Sequence, residues 1–343
     1  MPYTTINKGS SYFNTILYTG TGASLANTGV GFQPDWVWIK SRSAATDHGL
    51  YDAVRGVQKQ LESNNVNTET TEATGLTAFG SDGFTVGALA QLNTSSATYV
   101  AWNWLGANTT VSNTSGTITS TVSANTTSGF SIVSYTGNGT GGATIGHGLG
   151  VVPKMIIVKC RSVGNAWRIY HASLGNTQGM AFDTTSVSTN IIFWNNTSPT
   201  STLFTVGTGA TVNSNTVTYV AYCFADVKGY SKFGSYTGNG SAEGTFVYTG
   251  FKPAFVMMKR TDSANDWYIY DSSRSTFNAT PKTLVANLSD AEGTVFNNVD
   301  ILSNGFKCRT ADGGTNASGG TYIYMCFAQN PFVSSTQIPT TAR

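Results

Sequence analysis

Hydrophobic and polar residues alternate over short stretches along most of the chain, which is the period of a half-buried β-strand. The segment Thr98-Tyr99-Val100-Ala101-Trp102 shows this alternation. Asp82-Gly83 and Asn304-Gly305 are dipeptides that favour tight turns between strands. Helical periodicity is scarce, and we predict a short helix, of about two turns, around Asp52 to Leu61. The pattern predicts an all-β protein.

Three segments of the sequence carry the same landmarks in the same order. Each opens with Tyr-Thr-Gly, continues to a Pro that precedes a Lys by six positions, and has an apolar strand between that Pro and Lys. Each then has a second strand ending at a Tyr, and a closing aromatic strand. The triplets begin at Tyr18, Tyr135 and Tyr236, and the Pro and Lys pairs are Pro34 and Lys40, Pro153 and Lys159, and Pro253 and Lys259.

This recurrence predicts three tandem related β-sandwich modules, of jelly-roll or lectin-like type. A repeat of about 100 residues is long enough for a sandwich with its own core. We place module 1 at residues 1–108, module 2 at 129–229 and module 3 at 230–332, followed by a C-terminal tail at 333–343. The Thr/Ser/Asn-rich stretch 109–128 is interpreted as a linker or a solvent-exposed hairpin.

Charge is scarce, at 10% of residues, against about 25% in a typical soluble domain. The net charge of +2 comes from scattered residues, which argues against nucleic-acid binding. No apolar run approaches the roughly 18 residues of a membrane span, so we expect no membrane insertion. The N-terminal sequence lacks the features of a signal peptide, which predicts synthesis in a host cytoplasm. We expect the four cysteines to be reduced and packed as small hydrophobic residues.

Sequence motifs for catalysis are weak. The three histidines lack metal-ligand spacing, and no G-x-S-x-G elbow occurs. Gly137-x-Gly139-x-x-Gly142 matches a dinucleotide fingerprint as a string, but the glycine-rich sequence after it disfavours the helix that the fingerprint needs. We therefore predict a protein that is not an enzyme and has no cofactor and no metal. Paired carboxylates of a polysaccharide depolymerase are a third-ranked alternative, with Asp47 and Asp52, or Asp262 and Asp266, near each other in sequence.

One polar constellation recurs in modules 1 and 3 as Tyr-Asp-x-x-Arg, whereas module 2 has Tyr170-His171-x-x-Leu174. One interpretation is a structural Asp–Arg pair that closes a turn. The other is a polar ligand site, for example for a sugar, in which an aromatic ring stacks on sugar C–H groups and Asp and Arg bind hydroxyls. The candidate ligand-binding residues are Tyr51, Asp52, Arg55, Trp267, Tyr270, Asp271 and Arg274.

A resemblance to a known family rests on the run Gly31-Phe32-Gln33-Pro34-Asp35-Trp36-Val37-Trp38-Ile39-Lys40-Ser41-Arg42. It is followed by Asp52-x-x-Arg55-Gly56, Ser81-Asp82-Gly83-Phe84-Thr85-Val86 and Thr98-Tyr99-Val100-Ala101-Trp102-Asn103-Trp104. These residues resemble a module of structural proteins of tailed phages, many of them marine. The resemblance implies a virion component of the tail-fibre, appendage or unassigned structural type, and it implies no catalytic residues.

Two functions follow as leading hypotheses. The first is a tail-fibre or appendage protein that attaches the phage to glycans of the host surface. The second is a head, neck or tail decoration protein that stabilises the particle by protein–protein contacts. The expected partners are other virion proteins of the capsid, neck or tail, further copies of the chain in a homotrimer, and a host surface glycan.

Overall fold

The computed structural model of the chain describes residues 4–182, 187–189, 192–294 and 298–331. The regular secondary structure of this part of the chain consists almost entirely of β-strands that pair in antiparallel sheets. The predicted all-β fold is therefore confirmed. Its helical segments are single turns, namely a 3-10 helix at Gly9–Ser11, α1 (Ala90–Asn93) and α2 (Ala210–Asn213). The predicted tail at 333–343 lies outside the described residues.

The prediction of a short helix around Asp52 to Leu61 is wrong. Asp52 ends a strand, and its carboxylate accepts the backbone N–H of Arg55 at 2.8 Å, which closes a turn. Gly56 and Gln58 then have φ of 93° and 65°. A right-handed helix cannot include such left-handed conformations, and the chain returns as a short strand.

Each module contains one large sheet in which the first strand lies beside the last strand of the module. The last strand pairs in turn with a central strand, which pairs with a fourth. In module 1 the order is β1 (Phe13–Thr19), β9 (Thr98–Trp104), β3 (Trp36–Ser41) and β4 (Gly49–Asp52). In module 2 it is β12 (Phe130–Thr136), β19 (Thr218–Phe224), β14 (Met155–Cys160) and β15 (Arg168–His171). In module 3 it is β20 (Ser231–Thr237), β27 (Thr321–Pro331), β22 (Phe251–Arg260) and β23 (Trp267–Asp271).

A small sheet packs on one face of each large sheet. Module 1 has β2 (Leu25–Thr28), β8 (Gly83–Val86) and β7 (Leu76–Gly80). Module 2 has β13 (Ala143–Gly146) and β18 (Leu203–Val206), and module 3 has β21 (Phe246–Tyr248), β26 (Gly305–Cys308) and β25 (Val299–Leu302). Short strands complete the fold: β5 (Lys59–Gln60) pairs with β6 (Thr70–Thr71), while β16 (Gln178–Met180), β17 (Val187–Thr189) and β24 (Leu284–Val285) extend the large sheets.

The stretch 109–128 contains a β-hairpin. Its strands, β10 (Val111–Asn113) and β11 (Ser120–Asn125), add to the outer edge of the large sheet of module 2, where β11 pairs with β12. Between them, Ile118 forms a parallel bridge to Ile145 of the small sheet. The hairpin therefore spans both sheets of module 2 and closes that side of its sandwich.

The central strands are buried on both faces. In β3, Val37 and Ile39 pack in the core between the two sheets of module 1, whereas Trp36 and Trp38 pack on the opposite face. This division follows from the alternation of side chains along a strand. The second face of each large sheet therefore needs a partner outside its own sandwich.

That partner is the other two modules. A common core contains aromatic residues from all three large sheets. Trp36 of module 1 stacks on Tyr222 of module 2, with ring centroids 4.3 Å apart, and Phe224 of module 2 lies 5.9 Å from Phe327 of module 3. Phe13 of module 1 lies 5.6 Å from Phe255 of module 3. The three modules thus surround one interior in addition to the space inside each sandwich.

The Tyr-Thr-Gly triplets have a structural cause. The tyrosine stacks on the tyrosine of the closing strand at 5.0, 5.2 and 4.8 Å, in the pairs Tyr18–Tyr99, Tyr135–Tyr219 and Tyr236–Tyr322. The glycine lies against the turn before that strand. A Cβ there would lie 2.2 to 2.3 Å from a carbonyl oxygen, in the pairs Gly20–Thr94, Gly137–Ser214 and Gly238–Ala317. Only glycine permits this approach.

Candidate functional site

The Asp-x-x-Arg constellation of module 1 is an internal ion pair. The guanidinium of Arg55 donates Nε–H to Asp52, and its Nη2 donates to the carbonyl of Leu50 at 3.0 Å. Its Nη1 donates to Glu69 at 3.0 Å. Both side chains of the Asp52–Arg55 pair are fully buried.

The same network continues into module 2. Tyr222 donates its hydroxyl to Asp52 at 2.8 Å. Arg161 binds the carboxylate of Glu69 through two nitrogens, each 2.9 Å from an oxygen. Burial raises the pKa of Glu69, but the bonds from Arg161 and Arg55 outweigh it and hold that pKa below its usual value. The predicted constellation therefore fastens module 1 to module 2.

Module 3 repeats the arrangement against module 1. Arg274 donates to Asp271 at 2.5 Å and to Glu292 at 3.2 Å. Trp102 of module 1 donates its indole N–H to Asp271 at 3.1 Å, and Arg42 of module 1 binds Glu292 at 2.8 and 2.9 Å.

Module 2 faces module 3 with different residues at the equivalent positions. His171 lies 3.2 Å through Nε2 from the carbonyl oxygen of Tyr324, and Leu174 packs against the common core. Burial lowers the pKa of His171 to about 4, and the bond to Tyr324 only partly offsets this effect. Two interfaces between modules are thus closed by ion-pair networks and the third by a neutral contact.

The residues of the sugar site predicted from the sequence are not accessible to a ligand. All seven candidate residues are buried; Arg55 has the largest exposure as a whole residue, 7%, while its side chain is fully buried. Tyr51 donates its hydroxyl to Gln60, and Trp267 donates its indole N–H to the carbonyl of Ala181 at 2.8 Å. Their faces are therefore closed to a sugar ring. The structure also separates the seven residues. Asp52 and Arg55 lie at the interface of modules 1 and 2. Asp271 and Arg274 lie at that of modules 3 and 1, and Trp267 contacts module 2. Tyr51 lies in the core inside module 1 and Tyr270 in the common core.

The contacts at the Asp-x-x-Arg positions form one ring around the three modules. A second ring of contacts between modules was not predicted from the sequence. Trp167 of module 2 donates its indole N–H to Glu62 O of module 1 at 2.8 Å, as Trp267 of module 3 does to Ala181 O of module 2. His48 of module 1 completes the ring, with Nε2 3.0 Å from Val285 O of module 3. The sequence does contain a signal for this second ring, because His48, Trp167 and Trp267 each lie three positions before the repeated tyrosine.

The repeated lysines are also structural. Lys40, Lys159 and Lys259 are fully buried. Lys159 donates to the carbonyls of Val66 and Asn165 at 3.0 and 2.5 Å, and Lys40 donates to that of Ser41 at 3.0 Å. Burial lowers the pKa of Lys40 and of Lys259 to about 8, although nearby carboxylates oppose the shift. Each ammonium thus fixes the backbone near the end of a central strand.

The candidate carboxylates of a depolymerase have structural partners. Asp47 accepts from Asn64 at 2.6 Å, Asp262 pairs with Arg260 at 2.8 Å, and Asp266 accepts from Asn287 at 2.7 Å. Within the described ranges, no group of three or more His, Cys, Asp or Glu residues could hold a metal ion. All four cysteines are buried and free of disulfide bonds. The glycine-rich run at 137–142 leads into strand β13, so it lacks the helix of a dinucleotide site.

An open cleft of about 540 Å³ lies at the edge of module 3, between the start of β20 and the end of β21. Lys232 and Tyr248 face each other across it, with the ammonium 5.6 Å from the ring centroid. Tyr248 is 57% exposed and Phe246, two residues before it, is 44% exposed. The cleft is lined by Asp226, Lys228, Gly229, Ser231, Lys232, Tyr248, Thr249 and Gly250.

The chain belongs to a family described as a domain of unknown function, DUF7483, whose model matches residues 8–331. The match spans the three modules and the hairpin together. Neither the curated proteins nor the solved structures gave a match. In the part of the chain that the structure describes, no helix has the length and apolar character to cross a membrane.

Proposed function

We propose that this protein is a non-enzymatic structural protein on the surface of a phage virion, where it decorates the head, neck or tail through protein–protein contacts. The resemblance of its sequence to modules of tailed-phage structural proteins supports the virion setting. The burial of the candidate glycan residues supports the decoration hypothesis over host attachment through those residues, since a host-attachment site needs accessible side chains.

The distribution of polar groups supports a scaffold. Carboxylates and guanidinium groups that could bind a ligand instead join modules, as in the Glu69–Arg161 and Glu292–Arg42 pairs. Charged hydrogen bonds with fixed geometry hold packed elements in one arrangement. A rigid body in which these ionic groups join modules suits a role in which the outer surface contacts neighbouring proteins.

Localisation on purified particles tests the proposal. We expect antibodies against the protein to label intact virions in electron micrographs. We also expect particles made without the gene to adsorb normally but to lose infectivity faster on heating. Sturdy particles that fail only in adsorption, together with binding on a glycan array, would establish the host-attachment function instead. Absence of the protein from purified particles would overturn both.

A further inference from the structure

We propose that a cavity between modules 1 and 3 binds a small oxyanion, such as phosphate or a carboxylate. The cavity has a volume of about 200 Å³ and lies where the start of β1 meets the loop after β23. Thr15 of β1, together with Ser272 and Ser273 of the loop, contributes hydroxyl groups. Lys8, which is exposed, contributes a positive charge. This inference goes beyond the proposed function, because it concerns a small ligand and no neighbouring protein.

The hydroxyl of Thr15 is buried without a partner. The residue is 8% exposed, and its Oγ1 makes no hydrogen bond among the described residues. Thr15 lies on the same face of β1 as Phe13, the face that packs against module 3, and both residues line the cavity. A buried hydroxyl keeps the full cost of its lost hydration until another group binds it. The floor of the cavity therefore carries a polar group that a ligand can bind.

Backbone bonds that recur in all three modules show which positions at the junctions are equivalent. The first residue after β4, β15 or β23 donates its N–H to the residue after the repeated proline, in the pairs Ala53–Asp35, Ala172–Lys154 and Ser272–Ala254. Thr15, Ile132 and Phe233 each lie three positions before the tyrosine of the repeated triplet. The three junctions between modules can therefore be compared residue by residue.

The junction of modules 3 and 1 is polar where the other two are apolar. Ile132 and Phe233, at the position of Thr15, both pack in the common core. Ser272 stands where the other two modules have alanine. Both sides of the cavity therefore carry a hydroxyl at a position that is apolar in the other modules, so the packing of modules does not require these hydroxyls.

Module 1 shows how a carboxylate is held at this place in the fold. Asp35, the equivalent of Ala254, accepts the backbone N–H of Gly106 at 2.7 Å and that of Asn108 at 3.2 Å. In module 3 the short side chain of Ala254 lines the cavity instead, and Gln329 occupies the position of Gly106. The place of the Asp35 carboxylate in module 1 is therefore part of the cavity in module 3.

The charge of the lining selects an anion. None of the described residues that line the cavity is Asp or Glu, and Lys8 forms no ion pair within the described part of the chain. Hydroxyl and ammonium groups donate hydrogen bonds, and such bonds are stronger when the accepting oxygen is charged. Phosphate and acetate therefore serve as probes of the site.

Calorimetric titration of the full-length protein with each anion, at pH 7 and constant ionic strength, tests the proposal. We expect one site per chain for at least one of the two anions, and no binding of neutral glucose. Thr15→Val keeps the shape of the side chain without its hydroxyl and should weaken binding about tenfold. Lys8→Gln should weaken it about threefold. Lys252→Gln changes an exposed lysine of module 3 outside the cavity and should have no effect.

Thermal stability separates a ligand-binding hydroxyl from a structural one. In a buffer without either anion, Thr15→Val should unfold at the temperature of the parent or higher, because it removes an unpaired hydroxyl from the interior. Ala254→Asp restores the carboxylate that module 1 carries and should abolish anion binding, and it provides the test if Thr15→Val does not fold. Absence of binding by both anions, equal binding of glucose, or an affinity unchanged in both variants would overturn the proposal. Since the titration uses purified protein, its outcome is independent of where the protein lies on a virion.

Discussion

His48 lies where modules 2 and 3 carry tryptophan, and its two ring nitrogens have opposite roles in hydrogen bonding; Nε2 lies near the carbonyls of both Val285 and Leu288. Its Nδ1 accepts the indole N–H of Trp38 at 2.8 Å, so the proton of the neutral ring is on Nε2, which donates to Val285 O. Burial, and to a lesser degree the charge of Lys40, lowers the pKa of His48 to about 3. The ring therefore stays neutral in the folded protein while it would be protonated near pH 6.5 in an unfolded chain.

This difference in the pKa of His48 between the folded and the unfolded chain predicts how stability changes with pH. As the pH falls from about 6.5 toward 3, the unfolded chain takes up a proton that the folded protein excludes, so His48 progressively destabilises the fold. At pH 5 we expect a loss of about 2 kcal/mol relative to pH 7 from this group. His48→Gln, which keeps an acceptor and a donor, should lower stability at pH 7 but remove this part of the pH dependence. Urea unfolding at both pH values measures the change, and an unaltered dependence would contradict it.

The buried Asp–Arg pair of module 3 gives a second prediction. Arg274→Leu leaves the carboxylate of Asp271 buried without its ion partner, and we expect a loss of about 3–5 kcal/mol in the free energy of unfolding. The double change Asp271→His with Arg274→Leu copies His171 and Leu174 of module 2 and should recover part of that loss. Arg260→Leu is the matched control, because its pair with Asp262 is partly exposed and should cost less than about 1 kcal/mol. Equal effects of both single changes would contradict the assigned burial.

At the scale of the element, the large sheets of the three modules share one strand order. The modules differ in how the edge of each sandwich is closed. In module 2 the hairpin requires glycine at position 146, since Asn113 fills the space above it. The equivalent residues are Thr28, which is exposed in module 1, and Tyr248 in module 3. The residue at this position thus reports whether an added strand covers the edge.

Gly146→Ala should therefore destabilise the protein by about 1–3 kcal/mol, the usual cost of overpacking. Asn113→Ala frees the space, so the double variant should lie closer to the parent than the sum of the two single effects. Thr28→Ala in module 1 controls for the alanine itself and should stay within about 0.5 kcal/mol. Thermal unfolding of the four variants measures the coupling. Strict additivity would show that the hairpin does not press on this strand.

The strands were predictable because alternation and turn dipeptides are local properties of the sequence. The continuous apolar run Trp36-Val37-Trp38-Ile39 predicted a strand, and such a run is typical of strands covered on both faces, as this one is. What covers the second face was not predictable, because Tyr222 and Phe182, which pack on Trp36 and Trp38, come from distant parts of the chain. The same limit applies to Asp52 and Arg55: their spacing suggested a pair, but Glu69, Arg161 and Tyr222 give it the role of a joint between modules.

At the scale of the whole molecule, three modules in one chain share a common core and two rings of contacts between modules. The order in each ring is cyclic, with module 2 contacting module 1, module 3 contacting module 2 and module 1 contacting module 3. One chain therefore already provides a threefold arrangement of modules. The homotrimer expected from the sequence stays a prediction, and light scattering of the purified protein would test it.

The common core predicts that the modules depend on one another for folding. Module 2 with its hairpin, residues 109–229, would expose the face that carries Phe130, Ile132, Met155, Ile157 and Phe224 if it were produced alone. An exposed apolar face of this size cannot be offset by the core inside one sandwich. We expect the fragment to aggregate or to give an NMR spectrum without dispersion. The full chain should instead unfold in one transition, with tryptophan fluorescence and circular dichroism coinciding. A folded monomeric fragment, or separate transitions for tryptophans in different modules, would show that the modules are independent domains that only touch.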